Sequence, residues 1–73
     1  MSEIWEIENS SQLKRIEYDE FAQILIVTFV KGTIYEYYDV PAYINYGLVI
    51  ADSAGSYFNK NIARKFKFEK VSG

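Results

Sequence analysis

Gly32-Thr33-Ile34-Tyr35-Glu36-Tyr37-Tyr38-Asp39-Val40-Pro41 is the stretch that decides how this chain folds. Gly32 can turn the chain, and from Ile34 to Val40 the residues are β-branched or aromatic almost throughout, the composition of a strand. Pro41 has no N–H to give to a further strand pairing, and its fixed φ suits the first position of a helix. Strands are therefore expected before this stretch and helices after it.

Working back from Gly32, residues 24–30 read I-L-I-V-T-F-V, the clearest strand in the chain. Lys31-Gly32 makes a tight-turn signal between the two strands. Before them, residues 13–18 (L-K-R-I-E-Y) form an earlier strand, closed by a turn at Asp19 and Glu20 that extends over residues 21–23. Working forward from Pro41, Ile44, Leu48 and Ala51 recur at helical spacing. Gly47 falls inside that helix at a cost of about 1 kcal/mol relative to Ala, and marks either a close crossing or a weak helix. Residues 52–56 (D-S-A-G-S) break the pattern and supply N-caps for a second helix bearing Phe58 and Ile62. Phe66 and Phe68 then alternate with Lys67 and Glu69, a last strand. The expected fold is α+β: a small antiparallel β-meander with two helices on one face and a C-terminal strand, in the order β-β-β-α-α-β. Residues 1–9 are an N-terminal arm or edge strand, and residues 10–73 form the domain.

Seventy-three residues make one domain, and a chain of this length buries only roughly 60% of its unfolded surface. There is no cysteine to form a disulfide and no histidine, which leaves a zinc site only carboxylates. Seven Tyr, five Phe and one Trp supply the core instead, since each buries about 150–250 Å². Self-association is the other route to stability. The N-terminus (M-S-E-I-W-E-I-E) is acidic and lacks the apolar run of a signal peptide. The longest apolar run, residues 24–27, is far too short to span a membrane. No membrane partner is expected, and a cytoplasmic location is the default.

The net charge of −2 hides an asymmetry. Residues 1–52 carry three basic groups against nine acids. Residues 53–73 carry Lys60, Arg64, Lys65, Lys67 and Lys70 against Glu69 alone. A basic ending of this kind either faces an anionic partner or packs beside the acidic half of its own chain.

Alternation along the meander puts Leu25, Val27 and Phe29 on one face with Tyr35 and Tyr37. The other face receives Ile24, Ile26, Thr28 and Val30, with Ile34, Glu36, Tyr38 and Val40. Both faces are then apolar, whereas a sheet covered on one side alternates apolar with polar residues. Two short helices cover one face. The second leaves Ile24, Ile26, Val30, Ile34 and Tyr38 side by side, a candidate interface for a second copy or for another protein. The competing reading lays Trp5 and Ile7 of the N-terminal arm across that face.

Catalysis is poorly served. Ser10, Ser11, Ser53 and Ser56 have no histidine to act as base, and no glycine-rich phosphate loop is present. Glu17, Asp19 and Glu20 read as solvated turn acids rather than a metal site, and no cofactor is expected. Nucleic-acid binding needs cations for phosphates and flat side chains for bases. Lys60, Arg64, Lys65 and Lys67 supply the first. Tyr35, Tyr37 or Tyr57 supply the second where they are exposed, although Tyr35 and Tyr37 also read as core with their hydroxyls at the rim. Asn59 reads either as a base contact or as a local hydrogen-bond anchor. The same groups could instead line a nucleotide-ligand site at a subunit interface.

From Ser10 to Val71 the chain resembles the KTSC domain, an appendage of some lysyl-tRNA synthetases that also occurs as small stand-alone proteins. The resemblance is carried by Ser10 and Ser11 followed by Leu13, Ile16, Tyr18 and Asp19, and by Leu25, Val27 and Phe29. It continues through Gly32, Tyr35, Tyr37, Val40 and Pro41, and then Ser53, Gly55, Tyr57, Phe58, Asn59 and Ile62. It implies a small α+β domain without known catalytic activity, for which the synthetase context suggests RNA binding. The family often has Arg directly after the Ile of its last motif; here Ala63 stands there and Arg64 follows. The ending is also altered, to Phe66-Lys67-Phe68. The expectation is a non-enzymatic accessory domain that binds RNA or another nucleic acid through Tyr57, Asn59, Lys60, Arg64, Lys65 and Lys67. The alternative is a protein-interaction module, a homo-oligomer or an inhibitor-like partner of a larger protein.

Overall fold

Five strands pair in chain order into one antiparallel sheet in the computed structural model, which describes residues 2–72. They are β1 (Ser2–Glu6), β2 (Leu13–Asp19), β3 (Ile24–Phe29), β4 (Ile34–Tyr37) and β5 (Phe68–Ser72). Two helices, α1 (Ala42–Ile50) and α2 (Ala54–Asn61), lie between β4 and β5 in sequence. The order is thus β-β-β-β-α-α-β, the expected α+β meander with its N-terminal arm resolved as an edge strand. No helix among the described residues is long and apolar enough to cross a membrane.

The turns follow the chemistry of their residues. Gly32 adopts φ 101°, a left-handed conformation that glycine enters at little cost, and its N–H donates to the Phe29 carbonyl at 2.8 Å. Pro41 is the N-cap of α1 rather than its first helical residue, with φ −67° and ψ 155°. Ser53 caps α2 by accepting from the Ser56 N–H at 3.3 Å. β4 ends at Tyr37, earlier than the run to Val40 suggested, because Asp39 takes φ 57° and breaks the extended backbone. That turn carries Val40 into the core, where it is fully buried, instead of onto the outer face with Ile34 and Tyr38.

The core is built on β2, β3 and β4. Leu13, Ile16, Tyr18, Leu25, Val27 and Tyr37 pack beneath Leu48 of α1 and Ala54, Phe58 and Ile62 of α2 and its end. The Tyr18 hydroxyl donates to the buried Val40 carbonyl at 2.6 Å, tying β2 to the chain entering α1. Trp5 and Ile7 also pack against this core. They extend the sheet from its edge, with Trp5 opposite Ile16, and do not lie across the outer face.

Register fixes both faces. On the inner side, Glu3, Tyr18, Leu25, Tyr37 and Phe68 form one row across all five strands. Its middle members are buried, while Glu3 and Phe68 at the two ends are exposed. On the outer side, Ile4, Glu17, Ile26, Glu36 and Glu69 form the matching row. Along this row isoleucine alternates with carboxylate from β1 to β4 and β5 adds a second carboxylate, so the outer face is less uniformly apolar than strand-by-strand reading indicates. The missing information was pairing: a row across a sheet is set by register, which one strand's alternation does not contain.

Candidate nucleic-acid interface

Helix α2 and the chain leaving it carry four cations, Lys60, Arg64, Lys65 and Lys67, up to the aromatic rings at the β5 end of the inner face. Ile62 is buried and Phe66 half-buried against the core, so the segment leaving α2 is anchored at two points four residues apart. Its backbone is tied to the end of β4 by the Tyr38 N–H, which donates to the Lys67 carbonyl at 2.9 Å. Arg64, Lys65 and Lys67 stay exposed around these anchors, with Lys60 one turn earlier on α2 and Lys70 on β5. Among the described residues the one ion pair is Arg15 with Glu6, at 2.7 Å across β1 and β2. The five C-terminal cations thus do not pair with the acidic half of the chain. Part of their placement serves the helix itself, since cations near a helix C-terminus are favoured by the backbone dipole.

Beside them runs an aromatic wall. Phe68 stacks on Tyr35 with ring centroids 5.4 Å apart and 7° between planes. Tyr35 in turn meets the edge of Phe29 at 5.6 Å. Phe68 is 49% exposed, a flat face of the kind on which a base can stack. Lys70 lies opposite Tyr35 in the strand register and so shares this side. Next to the wall is a cavity of about 580 Å³ lined by Ser11, Gln12, Phe29, Lys31, Thr33 and Tyr35. Asn59 of α2 reaches its rim, where Nδ2 donates to Gln12 Oε1 at 3.5 Å.

The residues singled out from sequence separate here. Lys60, Arg64, Lys65, Lys67 and Asn59 are all exposed; Asn59 reaches the cavity rim, while Lys67, next to Phe68, alternates to the side of the strand that carries Glu69. Tyr57 is not available as a stacking surface in the same way. Its hydroxyl donates to the Ile44 carbonyl at 3.0 Å, and the ring packs over Gly47 of α1. Burial, and after it the neighbouring Tyr43, pushes the Tyr57 phenol above its ordinary pKa. Tyr37 is core, 3% exposed, whereas Tyr35 is half-buried and borders the cavity. Phe68 and Lys31 are the members sequence reasoning missed. Phe68 was legible only as a strand residue, and its exposure follows from β5 being an edge strand.

The candidate protein interface is likewise divided. Ile24, Ile26, Ile34 and Tyr38 are half-buried on or beside the outer face. Val30 lies in the turn after β3, 55% exposed. The Tyr38 hydroxyl is within hydrogen-bonding distance of Glu36 Oε1 at 2.9 Å and Glu69 Oε1 at 3.1 Å. Its phenol is pushed up to about 12, chiefly by the Glu36 hydrogen bond and then by burial and by Glu69. Glu17, Asp19 and Glu20 do not form a group of three metal-ligating residues among the described ones.

Relatives in sequence and in structure identify the family. A lysine–tRNA ligase of Nostoc punctiforme is 42% identical over 62 residues, which cover 85% of this chain and 11% of the ligase. The corresponding ligase of Trichormus variabilis is 40% identical over 62 residues, with the same coverage of each chain. The chain thus spans about a tenth of the length of these curated relatives. An uncharacterized protein of Stutzerimonas stutzeri is 43% identical over 51 residues, 70% of this chain and 72% of that one. The crystal structure of a KTSC domain protein from Yersinia pestis superposes with a TM-score of 0.89 at 27% identity, covering 99% of this chain and 100% of that one. The KTSC family model matches residues 9–66, most of the chain. By sequence and by fold, the chain belongs to the KTSC domain family.

Proposed function

We propose that this KTSC domain is a non-catalytic accessory domain that binds RNA, or another single-stranded nucleic acid, at the β5 end of its inner sheet face. The carrying observation is the exposed set Lys60, Arg64, Lys65, Lys67 and Lys70, unpaired among the described residues, on α2 and on the segment that leads into and along β5, whose Phe68 stacks on Tyr35. Cations that spend no charge on their own carboxylates are free to neutralise phosphates, and an exposed ring beside them offers a base a stacking partner worth about 1–3 kcal/mol. The ligase relatives act on a tRNA by their printed names, which agrees with this reading. Such a role belongs in the cytoplasm.

The direct test is fluorescence anisotropy with a short labelled single-stranded RNA. The reading expects Lys60→Glu, Arg64→Glu and Lys65→Glu, combined, to abolish binding while leaving the circular dichroism spectrum intact. Phe68→Ala is expected to weaken binding about tenfold or more. A triple variant that binds as well as the original chain overturns it.

A second reading is docking of another protein, or of a second copy, on the outer face. Ile4, 58% exposed, and the half-buried Ile24, Ile26 and Ile34 favour it, although Glu17 and Glu36 interrupt the surface. Binding of that kind would survive salt and fail with Ile26→Glu. A nucleotide ligand in the cavity bordered by Phe29 and Tyr35 would instead show as a thermal shift with small phosphorylated compounds.

A further inference from the structure

The cavity of about 580 Å³ beside Tyr35 is selective in what its lining offers a ligand. A water's share of liquid volume is about 30 Å³, so the space holds roughly twenty heavy atoms, about one nucleotide. Phe29 and Tyr35 form its apolar corner, edge against face, with centroids 5.6 Å apart and 79° between planes. Phe68 stacks on the same Tyr35 ring at 5.4 Å, and Lys70 lies opposite Tyr35 in the strand register. A nucleic-acid strand that crosses Phe68 therefore meets Tyr35 next and the cavity after it.

The polar part of the lining is rich in donors. None of the residues that line the cavity is acidic. Lys31, exposed in the turn between β3 and β4, brings an ammonium that donates and never accepts. Gln12 is half-buried, and its Oε1 is turned toward α2. There Asn59 Nδ2 donates to it at 3.5 Å, and a Cβ at Gly55 would stand 3.4 Å away. The amide nitrogen of Gln12, with two N–H donors, is what remains for a ligand. Backbone acceptors along the lining are already engaged. The carbonyls of Gln12, Phe29 and Thr33 accept from the N–H groups of Val30, Gly32 and Phe29 at 2.9, 2.8 and 2.9 Å. The hydroxyls of Ser11 and Thr33 donate or accept as required, so they do not decide between ligands.

The geometry points to a base pocket that selects guanine and uracil over adenine and cytosine. This rests on the reading of the β5 end as a nucleic-acid site, and adds to it the base preference that ring stacking lacks. Guanine O6 and uracil O4 accept from the Lys31 ammonium and the Gln12 amide nitrogen, as guanine O6 accepts from lysine in a DNA major groove. Adenine and cytosine carry an exocyclic amino group at the corresponding place, which sets donor against donor.

The test is anisotropy with a labelled eight-cytidine RNA and three versions of it whose fourth base is uracil, guanine or adenine. The uracil and guanine versions are expected to bind about tenfold more tightly than the other two. Lys31→Met combined with Gln12→Leu is expected to bring all four within about twofold of one another, a loss of preference that a weaker fold or a lower charge does not produce. Should the double variant not fold, Lys31→Met alone decides, with the preference expected to shrink about threefold or more. Salt-sensitive binding of all four oligomers with equal affinity overturns the pocket and leaves the nucleic-acid site standing. Adenine bound as tightly as guanine, or a preference undiminished in the variants, likewise overturns it. Binding of none of the four overturns the pocket and the nucleic-acid site together.

Discussion

Gly47 lies so close beneath Tyr57 that a methyl group at position 47 would stand 2.6 Å from the ring carbon Cζ, and closer still to the hydroxyl. The same hydroxyl donates to the Ile44 carbonyl at 3.0 Å, clamping α2 onto α1. Glycine inside a helix costs about 1 kcal/mol relative to alanine, yet here it makes room for the clamp. This resolves the two readings that the sequence left open for Gly47 in favour of a close crossing.

A double-mutant cycle tests that relationship. Gly47→Ala alone forces Tyr57 to swing away, losing its hydrogen bond and part of its packing, and is expected to destabilise by about 1–2 kcal/mol despite the better helix propensity. In a Tyr57→Ala background the clash is gone, so the same substitution is expected to stabilise by about 0.5–1 kcal/mol. Urea unfolding of the four chains measures both. The same sign in both backgrounds would contradict the clamp.

Alkaline pH offers a second test. Burial, and after it the Tyr35 phenol, pushes Tyr37 up to about 12. A tyrosine whose folded pKa lies above its unfolded value stabilises the fold fully below about pH 10, and loses that contribution as pH rises toward 12. The loss is on the order of 2–3 kcal/mol, at about 1.4 kcal/mol per pH unit. Tyr18 and Tyr57 are raised in the same direction, burial being the largest cause for each. Tyr37→Phe is therefore expected to flatten the pH profile of urea unfolding between about pH 10 and 12 without removing all of its slope. An unchanged profile would contradict the assignment.

On the outer face, Glu36 and Glu69 oppose each other across β4 and β5, and the Tyr38 hydroxyl lies between them. Like charges directly opposite in a sheet repel. Glu69→Lys is expected to raise the thermal midpoint at low ionic strength, with the gain shrinking in about 1 M salt, where screening falls to about 3 Å. Tyr38→Phe, which removes the shared donor, is expected to lower it. Differential scanning calorimetry of the two variants at both salt concentrations checks the signs.

How much was legible in advance follows from which interactions are local. The strand over most of residues 24–30, the turn at Gly32, the start of a helix at Pro41 and the Ser53 cap of α2 could be read because turn and strand preferences act within a few residues. The split of charge between the two parts of the chain was visible too, as composition. What was not legible depended on partners distant in sequence. Residues 1–9 alone do not distinguish an arm from an edge strand, because the pairing of Ser2 with Asp19 is not written in them. Carboxylates interrupt the outer face because Ile26 is flanked across the sheet by Glu17 and Glu36, a fact of register. The burial of Asn45 is not legible either, since one asparagine in a helix says nothing of its surroundings. Phe68 read only as a strand residue, and its open face appears once β5 is placed at the sheet edge.

The central claim is that the unpaired C-terminal cations contact phosphates, and its most direct measurement is the salt dependence of RNA affinity. Each phosphate neutralised on a single strand contributes about −0.7 to the slope of log K against log salt concentration. Four or five contacts predict a slope of about −3, and reversal of Lys60, Arg64 and Lys65 predicts a slope shallower by about 2 in whatever binding survives. A slope near zero for the original chain, or an equal slope after the reversal, would contradict the account.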